Sequence, residues 1–290
     1  MDIIQVITKE LNVEKWQVEA AVKLIDEGCT IPFISRYRKE ATGSLNDEQL
    51  RTLHERLTYL RNLEEKKNQV LGSIEEQGKL TAELKKQILD AQTLVVVEDL
   101  YRPFRPKRRT RAIIAKEKGL EPLANIIMLQ MTDKPIEEEA QDFVSEEKGV
   151  ETVADAINGA KDIIAEHISD EADYRIYLRK LTMDKGSVAS AAKKPEEASV
   201  YEMYYEFEEP IKKLAGHRVL ALNRGEKEKI LTVKVNAPEE EAMGWLQKQV
   251  ITKENPITKP ILREVVEDSY KRLIAPAIER EIRSDLTEKA

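Results

Sequence analysis

Eight bases stand between Tyr101 and Lys118 (Arg102, Arg105, Lys107, Arg108, Arg109, Arg111, Lys116 and Lys118) against one acid, Glu117. The block carries +7 in a chain of net charge −7, which leaves −14 for the rest. Gathering like charges costs self-repulsion. Three kinds of counter-charge would offset it: a nucleic-acid phosphate backbone, an acidic protein surface, or acids elsewhere in the same fold. Pro103 and Pro106 lack an N–H and push their preceding residues out of the α region. The spacing therefore predicts an extended Arg102–Lys107 segment that holds its cationic groups apart. A second basic set, Arg36, Arg38 and Lys39, ends the apolar start of Thr30 to Gly43. The candidate nucleic-acid contacts are thus Arg102, Arg105, Lys107, Arg108, Arg109, Arg111, Arg36, Arg38 and Lys39. The competing reading is a solvated charge run whose bases meet nearby Glu and Asp. Asp133 to Asp173, with fourteen acids and three lysines, is a ready internal partner.

Other chemistry is not signalled. His54, His167 and His217 are widely spaced, without Cys, Asp or His at metal-ligand spacing. Cys29, the single cysteine, excludes an intrachain disulfide and a cysteine-rich zinc site, and reads as a small core residue. Phosphate-loop, nucleophile-elbow and His-Glu-x-x-His patterns are missing. The expectation is a protein that is not an enzyme and takes no cofactor or metal.

The elements that must carry the basic residues read as helices. Ile3, Ile4, Ile7 and Leu11 share one face; Trp16, Ala20, Ala21, Leu24 and Ile25 share another, with Asn12 as the break and Gly28 as the stop. This outline resembles a helix-turn-helix, but it offers few side chains for base reading. A long helix starts at Asn46 or Asp47 and presents Leu50, Leu53, Leu57, Leu60 and Leu63 as one stripe. Gly78 ends it and Thr81 to Ala91 returns, so an antiparallel helical arm spans about 46–91. Leu94 to Leu100 fits either strand or buried helix. Pro135 starts a helix with Glu137, Glu138 and Glu139 in its first turn, and Val153, Ile157, Ala160, Ile164 and Ile168 form a further stripe. The best strand candidates are 186–190 and 230–235. Asn255 to Pro260 reads as a linker before a last helix that Pro276 breaks or kinks. The fold class is mainly α: a multi-helix body with a long antiparallel arm and a small β element.

Composition sets the outer limits. Charged residues make up 35% and aromatics 5%, the profile of a helix-rich chain. There is no apolar run long enough for a membrane span and no signal-peptide pattern at the start, so a cytoplasmic setting without membrane partners is expected. The overall acidity argues against a dedicated duplex binder.

Four segments taken together carry a family likeness. They are Asp99 to Ala124, opening Asp-Leu-Tyr-Arg-Pro-Phe-Arg-Pro-Lys-Arg-Arg-Thr-Arg; Ile31 to Gly43; Asn158 to Glu166; and Glu209 to Glu226, which contains Gly-His-Arg-Val-Leu-Ala-Leu-Asn-Arg-Gly-Glu. In this order they resemble the Tex family of bacterial transcription accessory proteins. The resemblance implies a largely helical body, followed in whole family members by a YqgF domain, helix-hairpin-helix modules and an S1 domain, to which nucleic-acid binding is chiefly attributed. It implies that this chain is the N-terminal and central helical part, without those later domains. Residues 1–183 would form the N-terminal helical domain, and 184–290 a central helical region with a small sheet. The expected function is a scaffold and interaction module of a transcription accessory protein, its partners being nucleic acid, mainly through the later domains, and RNA polymerase or a transcription complex. The alternative is an autonomous nucleic-acid-binding module that uses 102–111. Net acidity favours the scaffold.

Overall fold

The computed structural model describes residues 1–290 and is mainly helical, with one three-stranded sheet. The chain forms two compact units, Met1–Tyr101 and Arg102–Ala290. Residue 183, where the resemblance divides the chain, lies inside a helix of the second unit.

The first unit opens with α1 (Ile3–Leu11) and α2 (Lys15–Asp26). Between them Asn12 takes the left-handed conformation at φ 53°, one of the few side chains to do so without undue strain. Then come α3 (Ile31–Tyr37) and the single turn α4 (Lys39–Thr42). Thr30 caps α3, its Oγ1 accepting the Phe33 N–H. The 30-residue α5 (Asp47–Glu76) starts at a reciprocal capping box of Asn46 and Gln49. Its leucine stripe is buried from Leu50 to Leu63 and continues through Lys67, Val70 and Ile74. After Gly78, α6 (Ala82–Asp90) runs back along it, which brings the Leu89 carbonyl to the Lys67 ammonium. The apolar run 94–100 is helical: α7 (Leu94–Tyr101) begins where its first N–H donates to the Tyr59 hydroxyl at 2.9 Å.

The second unit is built around α11 (Val153–Asp170), which packs on α8 (Arg111–Glu117), α9 (Glu121–Leu129) and α10 (Ile136–Gln141). Gly159 lets α11 come this close: a Cβ there would collide with Leu120 and stand 3.3 Å from the Ala115 Cβ. α12 (Ala172–Lys185) leads into an antiparallel sheet of order β2–β1–β3, with β1 (Ser187–Ala192) central between β2 (Glu206–Pro210) and β3 (Leu231–Asn236). Two of these strands match the sequence candidates; β2 follows the tyrosine-rich stretch and has no strand signal of its own. α13 (Gly216–Lys227) and α14 (Glu239–Val250) flank β3.

The last helical segment departs from expectation at two places. Asn255 is the cap of α15 (Thr258–Asp268) rather than part of a linker: its Oδ1 accepts from the Ile257 and Thr258 N–H groups, and Pro260 sits in the first turn, where no donor is missed. Pro276 does not break the helix. A π turn over Ser269–Ile274 precedes α16 (Ala275–Lys289), and the Ala275 N–H bonds back five residues to the Tyr270 carbonyl. The wider turn absorbs the ring that an α-helix interior would reject.

Candidate nucleic-acid interface

The basic block runs from the end of α7 to the start of α8. Its first part is not extended. Arg102–Phe104 forms a 3-10 turn closed by the Arg105 N–H on the Arg102 carbonyl at 3.4 Å. Pro103 fits because its fixed φ matches a 3-10 turn. Residues 106–108 then run without regular structure to Thr110, whose Oγ1 accepts the Ile113 N–H and caps α8.

Several of the block's charges are answered inside the second unit. Lys107 donates to the Asp170 carboxylate and lies 3.7 Å from a Glu166 oxygen, both on α11. Burial lowers the Lys107 ammonium from its ordinary pKa, and the Glu166 carboxylate pushes it back up. Arg102 stands 3.6 Å from Glu281 of α16, and Glu281 also accepts from Arg179 of α12 at 2.9 Å. Arg109 pairs with Glu117 at 2.8 Å, but both are exposed, so that bridge contributes little. Arg105, Arg108 and Arg111 have exposed side chains, and Arg108 and Arg111 form no ion pair. Arg111 nevertheless acts on Asp162: burial raises that carboxyl above the usual range, and Arg272 and Arg111 oppose the rise.

A cavity of about 470 Å³ opens beside the block. Arg105, Lys107 and Lys116 line it together with Glu166, His167 and Asp170. Its mixed sign suits internal pairing better than a polyanion.

Arg36, Arg38 and Lys39 lie in the first unit, at the end of α3 and in α4, all exposed. The guanidinium of Arg38 sits over the Phe33 ring, 4.9 Å from its centroid, and donates to the Tyr37 carbonyl at 2.8 Å. Phe33 and Tyr37 are exposed with their ring centroids 5.5 Å apart. Trp16, read from the sequence as inward, is 53% exposed. It lies at the start of α2, where its ring meets Gly43 rather than the stripe of Val18, Ala21 and Val22. No periodicity signals this, because a helix of about three turns offers two apolar edges and only packing selects one.

The other distinctive segments serve packing. Within 216–226, Asn223 and Glu226 both hold Arg283 of α16, at 3.0 and 2.8 Å. Gln130, left-handed at φ 56°, accepts the Thr252 and Lys253 N–H groups through Oε1 and donates to the Val250 carbonyl through Nε2. His54, His167 and His217 are all exposed, and no three His, Cys, Asp or Glu side chains converge as metal ligands. No helix is long and apolar enough to cross a membrane.

Comparison with known proteins gives two family matches: the Tex-like protein N-terminal domain over residues 1–75 and the Tex central region-like family over 131–290. An uncharacterized protein YdcI of Bacillus subtilis is 50% identical over 99% of this chain, which covers 40% of that protein. The transcriptional accessory protein Tex of Neisseria gonorrhoeae is 41% identical over 80% of the chain, covering 31% of its own length. A human S1 RNA-binding domain-containing protein 1 is 32% identical over the whole chain and 30% of its own. The chain therefore spans well under half the length of these relatives.

Proposed function

This chain belongs to the Tex family, and from that premise we propose that it is a non-catalytic scaffold and interaction module of a transcription accessory protein. It would work in a reducing cytoplasm, position the remainder of the longer protein, and dock RNA polymerase or another component of the transcription complex. One observation carries the scaffold reading over an autonomous nucleic-acid module: Lys107, at the middle of the basic block, is engaged by Asp170 and Glu166 of the central helix α11. A cation so held offers a phosphate only what it takes from two partly buried carboxylates, and breaking such a pair is costly. Arg102 follows the same pattern with Glu281.

The test is the triple variant Arg102→Ala, Lys107→Ala, Arg109→Ala, read by thermal unfolding and by titration with a labelled single-stranded oligonucleotide at several salt concentrations. The scaffold reading expects a fall in Tm with affinity and salt slope unchanged. A salt slope flatter by about 0.7 per lost phosphate contact, at unchanged Tm, would overturn it in favour of phosphate binding.

A further inference from the structure

The first unit carries a surface that neither its core nor its ion pairs explain. On α3 and α4, five consecutive positions, Arg36 to Glu40, are exposed. They hold three cations, one aromatic ring and one acid. In a chain richer in acids than in bases, cations on a solvated face normally find a carboxylate. Arg36, Arg38 and Lys39 do not: none forms an ion pair, although Glu40 is adjacent in sequence. Arg38 is instead laid over Phe33, which fixes a guanidinium plane beside two open aromatic rings. Tyr37 is 62% exposed and neighbours the exposed Phe33 ring, so the two form a patch rather than scattered exposed side chains.

The backbone beneath this surface is firmly held. Gln17 of α2 donates through Nε2 to the Thr42 and Gly43 carbonyls at 3.0 and 3.2 Å, while its Oε1 accepts the Glu14 N–H. Gly43 ends α4 in the left-handed conformation at φ 64°, and a Cβ there would lie 2.6 Å from the Trp16 ring. Trp16 is thus seated against the turn that ends α4, with half of its surface left in water. Fixed rings beside unpaired cations are what single-stranded nucleic acids require: every base has a face to stack, and the backbone follows the charge. Three cations are too few for a duplex footprint, and α3 has only seven residues to lay in a groove.

We propose that Phe33, Tyr37, Arg36, Arg38 and Lys39, with Trp16 at the edge, form a binding surface for single-stranded nucleic acid, on which bases stack on the rings and phosphates meet the three cations. This deepens the interaction-module reading by naming a ligand for the first unit. It assigns binding to a place other than the basic block at 102–111.

The probe is a fluorescein-labelled twelve-nucleotide oligouridylate, with oligothymidylate of equal length as the DNA arm, titrated against the full chain by anisotropy. Three phosphate contacts predict a slope of log affinity against log salt of about −2. Tyr37→Ala is expected to weaken binding about tenfold, the effect of one lost stack, and Tyr37→Trp to restore it. Arg36→Gln with Lys39→Gln should flatten the slope to about −0.7. These positions are exposed, so Tm should not move. Wild-type affinity in both Tyr37→Ala and the Arg36/Lys39 variant overturns the proposal. If Arg108→Ala with Arg111→Ala alone abolishes binding, the surface and the scaffold reading fail together; if the chain binds neither oligonucleotide, the surface alone fails. Equal competition by oligoglutamate would assign the surface to an acidic protein partner and overturn the nucleic-acid proposal.

Discussion

The ammonium of Lys67, inside the leucine stripe of α5, donates to the Leu89 carbonyl of α6 at 2.7 Å while only 1% exposed. One buried donor therefore fastens the returning helix to the long one, using a carbonyl at the C-terminal end of α6 that has no acceptor role within its own helix. Glu64, 3.5 Å from the same ammonium, balances its charge.

Lys67→Ala should lower the stability of the first unit by roughly 2–4 kcal/mol, since it leaves a cavity and an unmet carbonyl. Lys67→Met should lose less, because it keeps the packing and removes only the bond. Chemical denaturation of the three proteins checks the order.

Alkaline pH should weaken the second unit through Tyr270. This phenol is 1% exposed, and burial first, with the Glu239 charge second, pushes its pKa up to about 12. An unfolded tyrosine ionises near 10. Below that pH the phenol is neutral in both states and its contribution is whole. As pH rises from 10 through 12 the unfolded state ionises first, so stability falls, by roughly 3 kcal/mol in all. Tyr270→Phe should remove this part of the alkaline loss in a Tm-against-pH series; an unchanged series would refute the assignment.

Gly43→Ala should destabilise the first unit by about 1–2 kcal/mol, because a methyl group at φ 64° is strained and meets Trp16 and Gln17. Trp16 must then move, so tryptophan emission should shift along with the loss of Tm. A stable variant with native emission would show that the turn is not what seats the ring.

A longer Tex protein that includes an S1 domain should bind single-stranded RNA more tightly than this chain at physiological salt, since tethered sites act at high effective concentration. Equal affinities would mean that the residues of this chain hold the primary site.

Local signals predicted the helical body well. The leucine stripe, the start of the long helix at Asn46 or Asp47, the Asn12 break and two of three strands follow from spacing and turn chemistry over a few residues. Lys67 occupies a core position that hydrophobic periodicity passes over, because its partner lies twenty-two residues away. The 3-10 turn at Arg102, the π turn before Pro276 and β2 likewise depend on tertiary packing that no short window contains. At the candidate interface the sequence named the cations and left open whether acids or phosphates answer them. The pairing of Lys107 with Asp170 spans sixty-three residues, and only the fold brings the two together. The exposure of Trp16 and Tyr37 was invisible for the same reason.

Lys107 is the most firmly engaged cation of the basic block, and a double-mutant cycle with Asp170 reads directly whether its role is in the fold. Wild type, Lys107→Ala, Asp170→Ala and the double variant are unfolded by denaturant under one buffer. Lys107→Ala should cost about 1–3 kcal/mol, and the two changes should be coupled by about 1–2 kcal/mol, because removing either partner strands a partly buried charge. Losses that add to within about 0.5 kcal/mol would contradict that role, and would return Lys107 to the set of cations available to a phosphate.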